Sequence, residues 1–430
     1  MPKISLMATA RRRVSILALV LAASATWPLA SRAGDFALKN NDVVVFLGDS
    51  ITARGYPKLI EHYTLMRYPD RKVTFFNGGK GGDTAQTSIS RLEREVFARS
   101  ATVMLIALGV NDIGWGMRAD DEHKQQYLDG VRTLISECQK RKIRVFLCSA
   151  AITAEAAEKA EAGFLQKMTD EGLALAQEMG AGAIDVQRGM RAIQRPIEAH
   201  NAAEADPAKQ VRLHAADGVH LNDLGQLSMA YAILKGLGAP ELISSVTIDA
   251  KTGKVTESRG CEVTRIVADG STLAFTRLDE GLPLNRGALS GLDYRWIPIP
   301  DGINRYLLTV SNLSTGKYLI RADGRRVQTV EAEKLEAGIN LASMTVDPWE
   351  PGGPWDAQST IVKELVDARD KLLLGQFYQE RFDGLTSPLE TLRTHYRELD
   401  ASLMELQRQT ARPRPYRFEI SPAPPDAGAP

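Results

Sequence analysis

The stretch VVVFLGDSITARG, Val43 to Gly55, carries an apolar run straight into Gly-Asp-Ser with no polar residue interrupting it. A run without polar alternation suits a strand buried on both faces, which is the condition of a parallel sheet covered by helices. Similar runs recur downstream and predict strands at Val43–Leu47, Val73–Phe76, Val103–Leu108, Val145–Cys148 and Ala183–Val186. Amphipathic stretches near 57–67, 84–98, 121–141, 156–179, 188–203 and 223–237 predict helices between and after them. Crossovers of this kind are right-handed, so residues 34–240 are expected to form a three-layer α/β domain.

At 430 residues the chain is long enough for two or three units. Its 44% apolar and 25% charged content is that of a globular protein with a substantial core. Basic and acidic residues balance at 53 each, which gives no sign of a nucleic-acid partner. The balance includes a segment expected to be removed. Residues 1–33 read as a signal peptide, with Lys3 and Arg11–Arg13 before the apolar VSILALVLAA and a small-residue site at SRA. Its loss takes five basic residues and no acids, leaving 48 basic against 53 acidic. The apolar run is short for a bilayer span and is broken by Ser24, Thr26 and Pro28, so an exported protein without a membrane span is expected. The three cysteines, Cys138, Cys148 and Cys261, match no zinc spacing, and Cys148 in RVFLC reads as core filler.

After Pro240 the pattern changes. EVTRIVAD, STLAFTRL, RYLLTVSNL and GKYLIRADGRRVQTV, punctuated by Gly, Asn and Asp, predict a mostly-β, sandwich-like unit over 245–348. VDPWEPGGPWDAQ reads as a linker. Residues 353–410 read as a helical segment, divided near DGLTSP, and 411–430 as a Pro-rich tail without regular structure at its end.

In a parallel α/β sheet, functional groups collect beyond the carboxyl ends of the strands. Ser50 follows the first strand, NGGKGGDT (77–84) the second and GVND (109–112) the third, while DGVHLNDLG (217–225) precedes the last helix. Acyl transfer at a serine needs a nucleophile, a base, a group that orients the base, and donors for the oxyanion. Ser50 supplies a hydroxyl, and its N–H opens a helix where donors lack intrahelical partners. Gly82 offers an unobstructed N–H, Asn111 a neutral side-chain amide, and His220 a base with Asp217 three residues away. Each alone is commonplace: GDS and GVND are ordinary turns, and NGGKGGDT lacks Walker spacing. All four in order at strand ends are not.

These residues resemble the four blocks of the SGNH, or GDSL-type, hydrolase superfamily. Gly48-Asp49-Ser50 matches its nucleophile block, Asn77 to Thr84 its glycine block, Gly109-Val110-Asn111-Asp112 its asparagine block and Asp217-x-x-His220 its last block. The resemblance covers roughly residues 40–240. It implies a flavodoxin-like fold, ester hydrolysis through an acyl-enzyme on Ser50, and an oxyanion hole of Ser50, Gly82 and Asn111. GDSIT is not the GxSxG elbow, because Thr52 stands where the second glycine belongs.

His214, Asp217 and His220 repeat every three residues, a spacing a metal site could use, but no further ligand cluster accompanies them, and no cofactor is expected. Asp49 and Asp112 are expected to bond loop backbone. Arg54 and Trp115 lie beside the predicted site, either lining a substrate pocket or packing the surface. The expected substrate is a small-molecule or glycan ester, with short acyl groups favoured. An O-acyltransferase using the same serine, and a non-catalytic glycan-binding protein on the same scaffold, are the alternatives. Oligomeric state is left open.

Overall fold

A computed structural model describes residues 36–287, 290–343, 352–381 and 389–424. Residues 1–33, expected to be a signal peptide, the DGLTSP divide and the last six residues of the expected tail lie outside them. Five parallel strands form the first sheet: β1 (Val43–Gly48), β2 (Thr74–Gly79), β3 (Val103–Ala107), β4 (Arg144–Cys148) and β5 (Gly182–Ile184), in the order β2-β1-β3-β4-β5. Between and after them run α1 (Ser50–Arg54), α2 (Tyr56–Arg67), α3 (Ala85–Ile89), α4 (Asp121–Lys140), α5 (Ala157–Glu161), α6 (Phe164–Glu178), α7 (Val186–Ala203) and α8 (Asp223–Gly236). This is the three-layer, flavodoxin-like arrangement that the sequence leads one to expect.

The opening run now has a physical account. Val44 and Phe46 enter one core cluster with Tyr56, Leu105 and Ile233. Val45 and Leu47 enter the cluster on the other face with Met104, Ile106 and Leu134. Both faces are dry, so no position in the strand tolerates a polar residue. Cys148, at the end of β4, is fully buried, and burial pushes its thiol up to about 12. It is core filler.

The strand order reverses direction at β1. The chain moves from β1 outward to β2, then returns to place β3 on the other side of β1. At such a switch point the two neighbouring loops diverge and leave a crevice above the strand ends. Ser50 follows β1 and Asn111 follows β3, so both stand at that crevice.

The second unit contains two sheets. One is mixed, ordered β13-β10-β6-β7, from β6 (Leu242–Asp249), β7 (Lys254–Arg259), β10 (Arg305–Ser311) and β13 (Ile339–Asn340). The other is antiparallel, ordered β12-β11-β14-β9-β8, from β8 (Cys261–Ala268), β9 (Leu273–Asp279), β11 (Lys317–Ala322), β12 (Arg325–Glu331) and β14 (Tyr416–Pro422). Short helices α9 (Ser290–Asp293), α10 (Ile299–Gly302) and α11 (Ala332–Ala337) lie between strands, and α12 (Pro354–Arg381) and α13 (Leu389–Ala411) precede the last one.

Two expectations for this region need correction. Residues 416–422 are not tail: Tyr416, Phe418 and Ile420 alternate inward, and β14 pairs with β9 on one side and β11 on the other. Pro413 and Pro415 precede the strand, and Pro422 is its last residue, opposite Tyr318, so no proline interrupts the strand interior. Nor is Pro354–Gln358 linker. It is the first turn and a half of α12, and Trp355 is fully buried against Tyr306, Tyr416 and Phe418.

α12 also joins the two units. It packs on α2, whose Leu65 and Met66 belong to the core of the second unit. Nearly every residue of α2 is buried, the polar ones included. Glu61 meets Arg369 of α12 at 3.1 Å, and Arg369 reaches the Phe75 carbonyl and Asp400 as well. His62 Nε2 lies 2.9 Å from the Ser359 carbonyl, and burial lowers its pKa to about 3, so the ring is neutral and donates there.

Candidate active site

Ser50 is the first residue of α1. Asp49 caps that helix: its Oδ1 accepts from Ile51 N at 2.8 Å, and the chain turns from strand to helix within two residues. Ser50 is thereby held at the crevice, partly exposed. Its Oγ lies 2.8 Å from His220 Nε2. His220 Nδ1 lies 2.6 Å from Asp217 Oδ2. A carboxylate can only accept, so it selects the tautomer with the proton on Nδ1 and leaves Nε2 bare to accept the Ser50 hydroxyl proton.

The three-residue spacing of Asp217 and His220 works because the turn is closed by its own backbone. Asp217 Oδ1 accepts from both Val219 N and His220 N at 2.9 Å, with Gly218 between them at φ 71°, a conformation glycine adopts freely. The Asp217 carboxyl is held well below the usual carboxylate range, first by the imidazole N–H and then by the two backbone donors. Asp217 therefore stays ionised opposite the ring. Gln226 of α8 ties this segment to the nucleophile: its Oε1 accepts from Tyr56 N at 2.9 Å, and its Nε2 faces the Ile51 carbonyl.

The glycine loop runs past the serine. Lys80 N donates to the Gly48 carbonyl at 3.0 Å, and a Cβ built on Gly81 would stand 4.0 Å from the Ser50 Cβ. Gly79 is obligatory for this approach, because a Cβ there would lie 2.2 Å from Ala53 N. Asn77 fixes the loop from behind, donating to the Thr52 carbonyl at 3.1 Å and accepting from Gly79 N at 3.0 Å. Gly82, at φ 77°, donates its N–H to no acceptor among the described residues.

Asn111 donates through Nδ2 to the Asp83 carbonyl at 3.1 Å and lies 3.4 Å from Asp49 Oδ2. Its Oδ1 accepts the indole N–H of Trp115 at 2.8 Å, and the Trp115 ring stands nearly perpendicular to that of His220 with centroids 5.7 Å apart. Trp115 thus belongs to the site rather than to the general surface. Arg54 is placed differently. It is exposed on the last turn of α1, with no side-chain hydrogen bond or ion pair among the described residues.

Asp49 and Asp112 both bond loop backbone, as expected of them. Asp112 Oδ1 accepts from Ala85 N at 2.8 Å, while its Oδ2 is buried without a partner among the described residues. Burial pushes both carboxyls up to about 6. His214, the third member of the spaced set, lies with Nε2 3.0 Å from the Ile152 carbonyl and is buried away from the other two.

One residue of the site carries no signal in the sequence. Arg91, inside an amphipathic stretch, donates to Asp83 Oδ2 and to the carbonyls of Gly78 and Gly48. Burial alone would raise the Asp83 carboxyl, but the Arg91 charge and the Ser88 and Thr87 hydroxyls outweigh it and hold it low. Arg91 binds the turn before the nucleophile to the glycine loop, and only the folded chain brings those carbonyls to it.

Residues 46–227 match the GDSL-like lipase/acylhydrolase family. No curated protein matches the chain. Among solved structures, a gut microbial diltiazem-metabolizing enzyme aligns at 21% identity over 90% of this chain and 98% of its own, with a TM-score of 0.77. The shared fold therefore extends through the C-terminal unit. The acetylxylan esterase Axe2 from Geobacillus stearothermophilus aligns at 20% identity over 47% of this chain and 96% of its own, with a TM-score of 0.38. An α/β hydrolase from the metagenome of Lake Arreo, Spain, gives 20% identity, 47% and 98% coverage, and the same TM-score of 0.38.

Proposed function

We propose, for a chain that carries a GDSL-like carboxylic ester hydrolase domain at residues 46–227, that Ser50 is the residue acylated and that the ester is a short acyl group on a glycan. The observation that carries the reading is His220 standing between Ser50 Oγ at 2.8 Å and Asp217 Oδ2 at 2.6 Å. Ser50 Oγ attacks the ester carbonyl as its proton passes to His220 Nε2. The imidazolium is balanced by the ionised Asp217. Collapse of the tetrahedral intermediate breaks the bond to the alcohol, which leaves with the proton from Nε2. Water then enters, gives its proton to Nε2 and attacks the acyl-serine; the acid departs and the proton returns to Ser50.

The oxyanion is held by the N–H groups of Ser50 and Gly82 and by the Asn111 amide. The free Gly82 N–H supports its part. For Asn111, the 3.4 Å contact to Asp49 is long, so that N–H can exchange it for a shorter bond to the oxyanion.

Support for a glycan comes from the rim. Trp115 is 48% exposed, and the outer part of an indole is a surface on which a sugar ring packs. Export completes the reading, supported by the basic, apolar and small-residue pattern of residues 1–33. Among the described residues no helix is long and apolar enough to cross a membrane. The test is a panel of acetylated xylan, pectin and peptidoglycan beside p-nitrophenyl esters of graded length. Fastest turnover is expected with acetate; preference for octanoate or longer would overturn the short-acyl assignment.

A further inference from the structure

The geometry assigns Trp115 a positioning role: its indole N–H locks the Asn111 side-chain amide in the orientation that points an N–H into the oxyanion site. This rests on the oxyanion role proposed above for Asn111, and adds to it a residue on which that role depends.

A side-chain amide is nearly symmetric in shape and can turn over unless its neighbours forbid it. Here they forbid it from both ends. The indole N–H of Trp115 can only donate, so the Asn111 atom 2.8 Å away must be the carbonyl oxygen. The Asp83 carbonyl can only accept, so the atom 3.1 Å from it must be the nitrogen. With one N–H spent on Asp83, the second is the one directed toward Asp49, the residue before Ser50. Without Trp115, the amide oxygen would lose its donor, and only the Asp83 bond and the long Asp49 contact, both on nitrogen, would hold the plane of the amide.

The backbone shows that this side chain is kept at a cost. Trp115 has φ 59° and ψ 29°, a left-handed conformation that burdens a bulky residue, and it lies between Gly114 at φ 53° and Gly116 at φ 95°. The turn is fixed by bonds from Gly114 N to Asn111 O, Trp115 N to Val110 O and Gly116 N to Ile113 O, each 2.9 Å. Nor is the ring a core anchor, since about half of it is exposed. What it does contact is the site: Asn111 through its nitrogen and the imidazole of His220 through its ring.

The experiment compares Trp115→Phe, Asn111→Ala and the double variant, with p-nitrophenyl acetate as probe and kcat and KM measured separately. Phenylalanine bears the same backbone cost and keeps a ring beside His220, so the N–H is the main loss. Trp115→Phe is expected to lower kcat about tenfold or more, with KM within about twofold. In the Asn111→Ala background the same change should cost no more than about twofold, because there is no amide left to orient. Wild-type kcat in Trp115→Phe, a loss confined to KM, or losses that multiply in the double variant would each overturn the assignment alone. An Asn111→Ala enzyme with wild-type kcat would instead overturn the oxyanion role, and this inference with it.

Discussion

Arg91 Nε donates to Asp83 Oδ2 at 2.6 Å, and both side chains are almost wholly withdrawn from water. The same guanidinium holds Gly78 and Gly48 carbonyls, so one charge braces the loop on one side of Ser50 and the turn on the other. Removing one partner of a buried pair leaves the other uncompensated. Arg91→Met should cost about 3–5 kcal/mol in urea unfolding, and Arg91→Lys should recover only part, since a single ammonium cannot span the carboxylate and both carbonyls.

Ser50→Ala deletes the proposed nucleophile without touching the Asp49 cap. Hydrolysis of p-nitrophenyl acetate should drop by about 10⁴-fold or more, with an unchanged melting temperature. Turnover retained at the wild-type level would remove Ser50 from the role. Asn111→Ala should lower kcat by about 100-fold or more if its amide binds the oxyanion.

Asp217→Asn tests the tautomer. An asparagine amide can donate toward Nδ1, which moves the ring proton to Nε2 and faces a proton at the Ser50 hydroxyl. The expected loss in kcat is about 10²–10⁴-fold. In the wild type the folded-state pKa of Asp217 lies below its unfolded value, so its contribution to stability is present above the unfolded pKa and is lost as pH falls through the folded one. Protonation of Asp217 should therefore set no limb of the activity profile near neutrality.

Asp112 behaves in the opposite sense. Its folded pKa, pushed up to about 6 by burial, lies above the unfolded value of 3.8. Between those values the folded state binds the additional proton, so stability falls as pH rises through that window and stays reduced above it. Asp112→Asn keeps the acceptor for Ala85 N and cannot ionise. It should match the wild type below pH 4 and exceed it by about 2–3 kcal/mol above pH 7. Urea unfolding at the two pH extremes measures the difference, and a constant offset between the proteins would contradict the account.

Phe418 distinguishes a structural strand from a tail. It is fully buried, stacked 5.0 Å from Phe275 and 5.7 Å from Trp355. Phe418→Ala should cost about 3–5 kcal/mol; a change within about 0.5 kcal/mol, as on a free surface, would mean the strand bears no load.

What could be read in the sequence was whatever a residue declares by itself or with its chain neighbours. Val44 to Leu47 declare burial on two faces, and Asp217 and His220 share one turn. Their joining to Ser50 was legible through the order of the strand ends. Arg91 was not, because its partners are backbone carbonyls of two distant loops and any residue type has those. Trp115 sits between glycines in a turn that looks like surface, and its meaning lies in the side chain of Asn111 four residues earlier. β14 was hidden by its prolines, which suggest irregular chain until one sees that two precede the strand and the third is its last residue. The burial of Glu61 and His62 was equally hidden, since their partners Arg369 and Ser359 lie some three hundred residues away along the chain.

The last strand among the described residues is an interior one. With β14 absent, the antiparallel sheet has no connection between β9 and β11, and Trp355 loses Tyr416 and Phe418 from its surroundings. A chain growing from its N-terminus can assemble the five-stranded parallel sheet early, but it cannot close its second core until residue 422 is free to move. Until then the core that Leu65 and Met66 of α2 share with Phe418 and Ile420 stays open on the β14 side. A chain lacking residues 416–422 would thus retain the serine, the histidine and the aspartate, yet leave Phe275 and Trp355 without the rings that cover them.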